Sequence, residues 1–332
     1  MIKKITLLIA ALLLIAVIIS YILVTQPMGE VSQSYTVRVQ PNDTATDLRA
    51  KLTAAGVRLN PTVYSALMVL TGTDRRIQPG RYQLAGSLSH YDLINVFQEG
   101  RVETCQVTIP EGLCLWEIAA ILVREAEVDS SRLAQILTDS AFFASFGISA
   151  SGFEGFLFPE TYTFFAEDSP ENVINTMINM FKSVFDEEKK QKAEELGFTL
   201  NELVTLASLI EAEATTDSER ELISSVFHNR LHQGWKLQCD PTVIYAMGGL
   251  ERPLWKRDLD YDSPYNTYLH YGLPPGPICS PGRAALEAAL YPADTRYFYF
   301  VADGQGGHIF SETFREHSRA IKQVKRQRKT DG

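Results

Sequence analysis

Residues Ile5 to Val24 run for 20 positions without a charge. A bilayer core is crossed by about 20 apolar residues in one helix, so the run predicts a transmembrane helix over residues 5–25. Lys3 and Lys4 precede it and no basic cluster follows closely. The positive-inside rule then leaves residues 1–4 in the cytoplasm and everything after residue 25 outside it. A cleaved signal peptide has a shorter apolar core, about 7–15 residues, and a small-residue A-x-A-like site. The sequence after Val24, TQPMGEVSQS, lacks that site, and the reading is an uncleaved single-pass anchor. Residues 26–34 are polar and small and suit a short tether.

The 332 residues are enough for two domains. Hydrophobic content of 45% and charged content of 21% are globular values. A net charge of −9 argues against a nucleic-acid partner. The basic C-terminal stretch RAIKQVKRQRKTDG reads as a solvated helix end, with a tail at 326–332. An exported location permits disulfides. Cys105–Cys114 and Cys239–Cys279 are candidate pairs, but the sequence leaves the connectivity open. No C-x-x-C or His-rich spacing is present, so neither a metal site nor a cofactor is expected.

From Tyr35 the chain reads YTVRVQPNDTATDLRAKL: a short strand, a Pro-Asn-Asp turn, then a helix capped by Asp43 or Thr44. The pattern returns at 105 in CQVTIPEGLCLWEIAAIL. This weak repeat resembles the opening of LysM modules, which bind N-acetylglucosamine-containing glycans; ordinary strand–turn–helix structure is the alternative. IQPGRYQL at 77–84 adds a turn and strand, and Ser89 caps a helix ending by Gly100. The segment from Ser151 to Phe165 opens SGFEGFLFPETYTF. It reads either as an aromatic substrate wall or as core packing. Ser169-Pro170-Glu171 starts a long helix running through MINMFKSVF toward Gly197. RYFYFVAD at 296–303 reads as a buried strand, paired through a Gly-rich turn with a second strand that carries His308. A lone histidine is either a site residue or structural.

The stretch that points to chemistry is Thr199–Tyr245. Thr199 with Glu202 forms a capping box, so a helix starts near Leu200. Ser218 with Glu221 reads as a second box. The first helix therefore ends near Thr215 or Thr216, and a second runs to about Leu231. Glu213 follows Leu206, Leu209 and Ile210 at i+7, i+4 and i+3, so it shares their apolar face in the last turn. Glu211 points toward Val204, Ala207 and Ser208, a less apolar side. Burial and the negative end of the helix dipole both raise a carboxyl pKa, which suits a general acid. The structural alternative is that Glu213 reaches solvent or pairs with Arg220 or Arg230. Further on, Asp240-Pro241-Thr242 restarts a helix. The loop from Ser263 to Gly282, rich in proline and glycine, holds Tyr265, Asn266, Thr267 and Tyr268.

ASLIEAEA, SERELISSVFHNRL, KLQCDPTVIYAMG, YNTYLHYGLPPGPI, the following SPG and YFYFVADGQGGHIF occur together and in order. With TIPEGLCLWEIA and EGFLFPETY upstream, they resemble the MltG (YceG-like) endolytic murein transglycosylases over nearly the whole chain. The resemblance implies an α+β fold: a transmembrane helix, a LysM-like βα subdomain at 35–104 and a mixed α/β catalytic domain at 105–325. It implies an enzyme of the cytoplasmic (inner) membrane that cleaves the MurNAc-β-1,4-GlcNAc bond of nascent glycan strands and leaves 1,6-anhydro-MurNAc ends. It implies one catalytic glutamate in the IEAEA segment, which is carried onto Glu213 with Glu211 as second choice. Gln238, Asp240, Tyr265, Asn266, Thr267 and Tyr268 are the candidates for holding the sugar, although Asp240 could only cap its helix and Asn266 only order its loop. Cys239 is given no catalytic role. Membrane-embedded peptidoglycan synthases are the partners implied. The alternatives are a hydrolytic muramidase and a non-catalytic glycan-binding scaffold.

Overall fold

The computed structural model describes residues 2–29, 33–40 and 42–330. Met1, residues 30–32 of the expected tether, Pro41 of the first turn and the last two residues of the expected tail lie outside the described residues. The chain is mixed α/β, and its strands form three two-stranded sheets among the described residues. Helix α1, Ile2–Thr25, has 24 residues. At 1.5 Å per residue it is about 36 Å long, long and apolar enough to cross a membrane. Its leucines and isoleucines are exposed from Ile5 to Leu23.

Two compact units follow from the packing: residues 1–106 with 163–168, and residues 107–162 with 169–332. In the first, β1 (Ser34–Val39), α2 (Ala45–Ala54), α3 (Pro61–Thr71), β2 (Gly80–Ala85) and α4 (His90–Glu99) follow in order. β1 and β2 pair antiparallel from Ser34↔Ala85 to Val39↔Gly80. Alternation on this ribbon turns Val37, Val39, Tyr82 and Leu84 inward. They meet Leu48, Leu52, Met68, Leu93 and Phe97 in one core. Each such side chain contributes about 1.5–3 kcal/mol by leaving water. Thr44 is the N-cap of α2 and forms a capping box with Asp47; Ser89 does the same for α4 with Asp92. Gly100 closes α4 at φ 60°, a left-handed cap that other residues adopt only with strain.

β3 (Thr104–Thr108) pairs with β4 (Thr161–Phe165); between them lie α5 (Leu115–Glu125), α6 (Ser130–Leu137) and α7 (Ser140–Ala144). Phe153, Phe156, Leu157 and Phe158, from the aromatic segment ahead of β4, are buried. They pack as core, with Phe153 edge-on to Phe143 at 4.9 Å, so the substrate-wall alternative is not the one realised. The long helix expected after Ser169 is two helices. α8 (Pro170–Val184) stops where the Phe185 ring turns in to stack on Phe181, and Asp186 caps α9 (Glu187–Glu195) by accepting from Lys189 N–H.

The remaining elements build the centre of the second unit: α10 (Leu200–Glu213), α11 (Arg220–His232), α12 (Asp240–Ala246), α13 (Arg283–Leu290), β5 (Tyr299–Ala302), β6 (His308–Ser311) and α14 (Phe314–Thr330). The Thr199–Glu202 capping box starts α10, as the spacing predicts. The Ser218–Glu221 box does not form. A 3-10 turn over Asp217–Glu219 leads into α11, which has no side-chain cap. Leu203 to Ile210 are all buried. α10 is therefore enclosed on every side, packed against α11, α12 and α13, and is not the one-sided amphipathic helix its wheel suggests. β5 and β6 form the expected antiparallel hairpin, but β5 is half-buried because one face looks onto a cleft. None of the four cysteines is joined in a disulfide. Cys114 donates to Ile278 O and Cys279 to Ser208 O, so neither candidate disulfide is present.

Candidate active site

Glu213 is the last residue of α10, and its carboxyl lines a cleft of about 540 Å³. Gln238, Asp240 and Tyr268 form part of the wall, with Arg230 of α11. The hairpin and α14 supply Tyr299, Phe300, His308, Phe314 and His317. Burial pushes the Glu213 carboxyl up to about 7, with nearby Asp240 adding to it. A hydrogen bond from the Cys239 thiol, together with His308 and Arg230, holds it lower than burial alone would. A group poised there can donate a proton near neutral pH and take it back. Tyr268 donates its hydroxyl to Asp240 Oδ1 at 2.5 Å, fixing both groups on the wall. Gln238 sits at φ 50°, in the left-handed region that non-glycine residues rarely occupy. Strain of this kind persists only where surrounding bonds impose it; here Gln238 N–H and Cys239 N–H are both held by Thr267.

This combination, a raised carboxyl at a helix end in a ligand-sized cleft, is carried by residues that fall inside a known pattern. The sequence pattern of the YceG-like family matches residues 37–323. This chain belongs to the YceG-like family. It is 39% identical over 230 residues to the endolytic murein transglycosylase of Bacillus subtilis strain 168, covering 65% of this chain and 64% of that protein. It is 32% identical over 279 residues to the protein of the same name from Streptococcus pneumoniae D39, covering 74% of this chain and 50% of that protein. The chain thus spans from half to just under two thirds of the length of these curated relatives. A crystal structure of a YceG-like protein from Listeria monocytogenes superposes with a TM-score of 0.61 at 31% identity, covering 86% of this chain and 99% of that one.

Within this YceG-like chain the other predicted residues divide by position. Glu211 does not line the cleft. Its carboxylate accepts from Arg220 Nη2 at 2.9 Å and from Gly282 N–H at 3.0 Å, and both charged side chains are nearly enclosed. Asn266 is fully buried: its amide donates to Leu259 O and Tyr261 O while its oxygen accepts from Tyr268 N–H. Thr267 is buried and bonds Thr242 Oγ1 at 2.9 Å. These two order the loop that presents Tyr268. Tyr265 packs against Tyr245, 5.0 Å between ring centres. Asp240 does not cap α12; the N-cap position is Cys239, and Asp240 is exposed on the cleft wall.

Two carboxylates escaped the sequence reading. Glu219 accepts from His308 Nδ1 at 2.9 Å and from His308 N–H at 2.6 Å, giving that histidine a fixed ring on the cleft wall. The Ser218–Glu221 pattern drew attention to its neighbours instead. Glu154 lies among the aromatics before β4, and its burial lifts it to about 7. An acid placed singly among phenylalanines is the signal that could have found it.

Proposed function

We propose that the chain is an endolytic lytic transglycosylase of peptidoglycan, anchored in the cytoplasmic membrane by residues 5–25 with its catalytic unit outside. The observation that carries this reading is the Glu213 carboxyl, held up to about 7 in a cleft with polar residues on one wall and aromatic rings on the other. Protonated Glu213 donates to the oxygen linking N-acetylmuramic acid to N-acetylglucosamine. An oxocarbenium-like transition state follows. The resulting carboxylate removes the proton of the muramyl C6 hydroxyl, which attacks C1 and closes the 1,6-anhydro ring. Because the nucleophile belongs to the substrate, no second protein carboxylate is required, and the attack gains the entropic advantage of an intramolecular step. Gln238, Asp240 and Tyr268 hold the sugar, with Tyr299, Phe300 and Phe314 as apolar faces.

The relatives' name, endolytic murein transglycosylase, supports the substrate class. Residues 35–104 are proposed as a LysM-like glycan-binding subdomain and 105–325 as the catalytic domain. Support for the former comes from the strand–helix–helix–strand order of its elements with the outer strands paired. Cutting nascent strands would end their elongation, and membrane-embedded synthases are the natural neighbours of such an enzyme. One observation favours a second reading, hydrolysis: Asp240 is a further carboxylate on the same cleft, able to activate water. Mass spectrometry of products from intact glycan strands separates the two. Anhydro-muramyl ends support the lytic reaction, and reducing muramic ends would overturn it.

A further inference from the structure

We propose that an aromatic ledge of Trp116, Tyr245 and Tyr265, anchored by Glu154, forms a second sugar subsite that stacks on a pyranose ring of the bound glycan. The indole of Trp116 is 45% exposed. It stacks on Tyr245 with centroids 5.4 Å apart and planes at 28°, and Tyr245 meets Tyr265 at 5.0 Å. An exposed indole backed by two half-buried rings presents an apolar aromatic surface, of the kind the C–H face of a pyranose matches.

Glu154 has no part in the reaction above, yet a buried acid is costly to keep. Its carboxylate accepts from the Tyr245 hydroxyl at 3.1 Å and from Leu115 N–H at 3.0 Å. Leu115 precedes Trp116 and opens α5, so one carboxylate fixes both partners of the stack. Two elements run from the cleft to this ledge. α12 carries Asp240 on the cleft and Tyr245 on the ledge, about 7.5 Å apart along its axis at 1.5 Å per residue. The 263–282 loop carries Tyr268 on the cleft and Tyr265 on the ledge. Cleft and ledge thus share two elements, which puts the ledge within reach of a polymer that extends beyond the cleft. The choice of a glycan as occupant rests on the function proposed above.

The test uses the full chain in detergent with Glu213→Gln, which binds without cutting, titrated calorimetrically with an N-acetylglucosamine tetramer. Adding Trp116→Ala is expected to weaken Kd about tenfold. Trp116→Phe, which keeps a ring, is expected to weaken it about threefold or less. Trp255→Ala, an equally exposed tryptophan off the ledge, is expected to leave it unchanged. No measurable binding by the parent, or equal Kd for parent and a folded Trp116→Ala protein, overturns the ledge. Cleavage by the wild-type chain is scored separately. If it cuts glycan while Trp116→Ala binds as the parent does, the ledge falls and the enzyme reading stands. If it cuts nothing while binding depends on Trp116, the ledge stands and the enzyme reading falls.

Discussion

Two glutamates two positions apart on α10 have opposite surroundings. Glu211 faces a buried guanidinium; Glu213 faces a cleft, with Arg230 and His308 near it but no salt bridge to either among the described residues. Removing one partner of a buried pair leaves the other charge stranded, so Arg220→Ala and Glu211→Ala should each destabilise the fold by about 3–5 kcal/mol, read from urea unfolding. Glu213 behaves in the reverse sense. Its pKa rises from 4.5 to about 7 on folding, so between those pH values the folded state binds more protons than the unfolded one. Its contribution to stability is neutral below pH 4.5 and increasingly unfavourable up to pH 7. Glu213→Gln should therefore gain stability relative to wild type across that window, by up to about 3 kcal/mol. As the proposed general acid it must be protonated, so kcat/KM should fall about tenfold per pH unit above pH 7; a flat profile from pH 6 to 9 would contradict this. The helix wheel separated the two residues by the polarity of their faces. In the folded chain both faces are enclosed, and what separates them is the partner each meets, which no wheel displays.

At the level of elements, local chemistry was legible and tertiary override was not. Capping boxes at Thr44, Ser89 and Thr199 formed because each hydroxyl and carboxylate finds its partners within its own first turn. The Ser218 box failed because Glu219 is drawn to His308 and Arg220 to Glu211, which settles the backbone into a 3-10 turn. Thr199→Ala should cost about 1 kcal/mol. Ser218→Ala should stay within about 0.5 kcal/mol. Equal losses in thermal unfolding would mean that the second box forms after all. The cleft wall built by β5, β6 and α14 was unreadable for a similar reason. Its apolar residues look like a buried strand until the fold leaves one side uncovered.

For the whole molecule, the apolar run that opens the chain and the family pattern that spans it describe separate parts. α1 is exposed from Ile5 to Leu23 and touches α4, while the rest of its unit and the second unit each pack their own core. Deleting residues 2–25 should release the protein from detergent without changing its melting temperature by more than about 2 °C, since no core side chain is removed; aggregation of a truncated chain that melts lower would show that α1 supports the fold. Glu213, and not Glu211, is the residue proposed to perform the chemistry. This assignment is tested most directly by mass spectrometry of intact glycan strands exposed to wild type, Glu213→Gln and Glu211→Gln, each first shown to be folded. Anhydro-muramyl products are expected from wild type and from whatever fraction of Glu211→Gln remains folded. A loss of about 10²-fold or more is expected for Glu213→Gln. Cleavage that survives in Glu213→Gln and disappears in a folded Glu211→Gln would contradict the assignment.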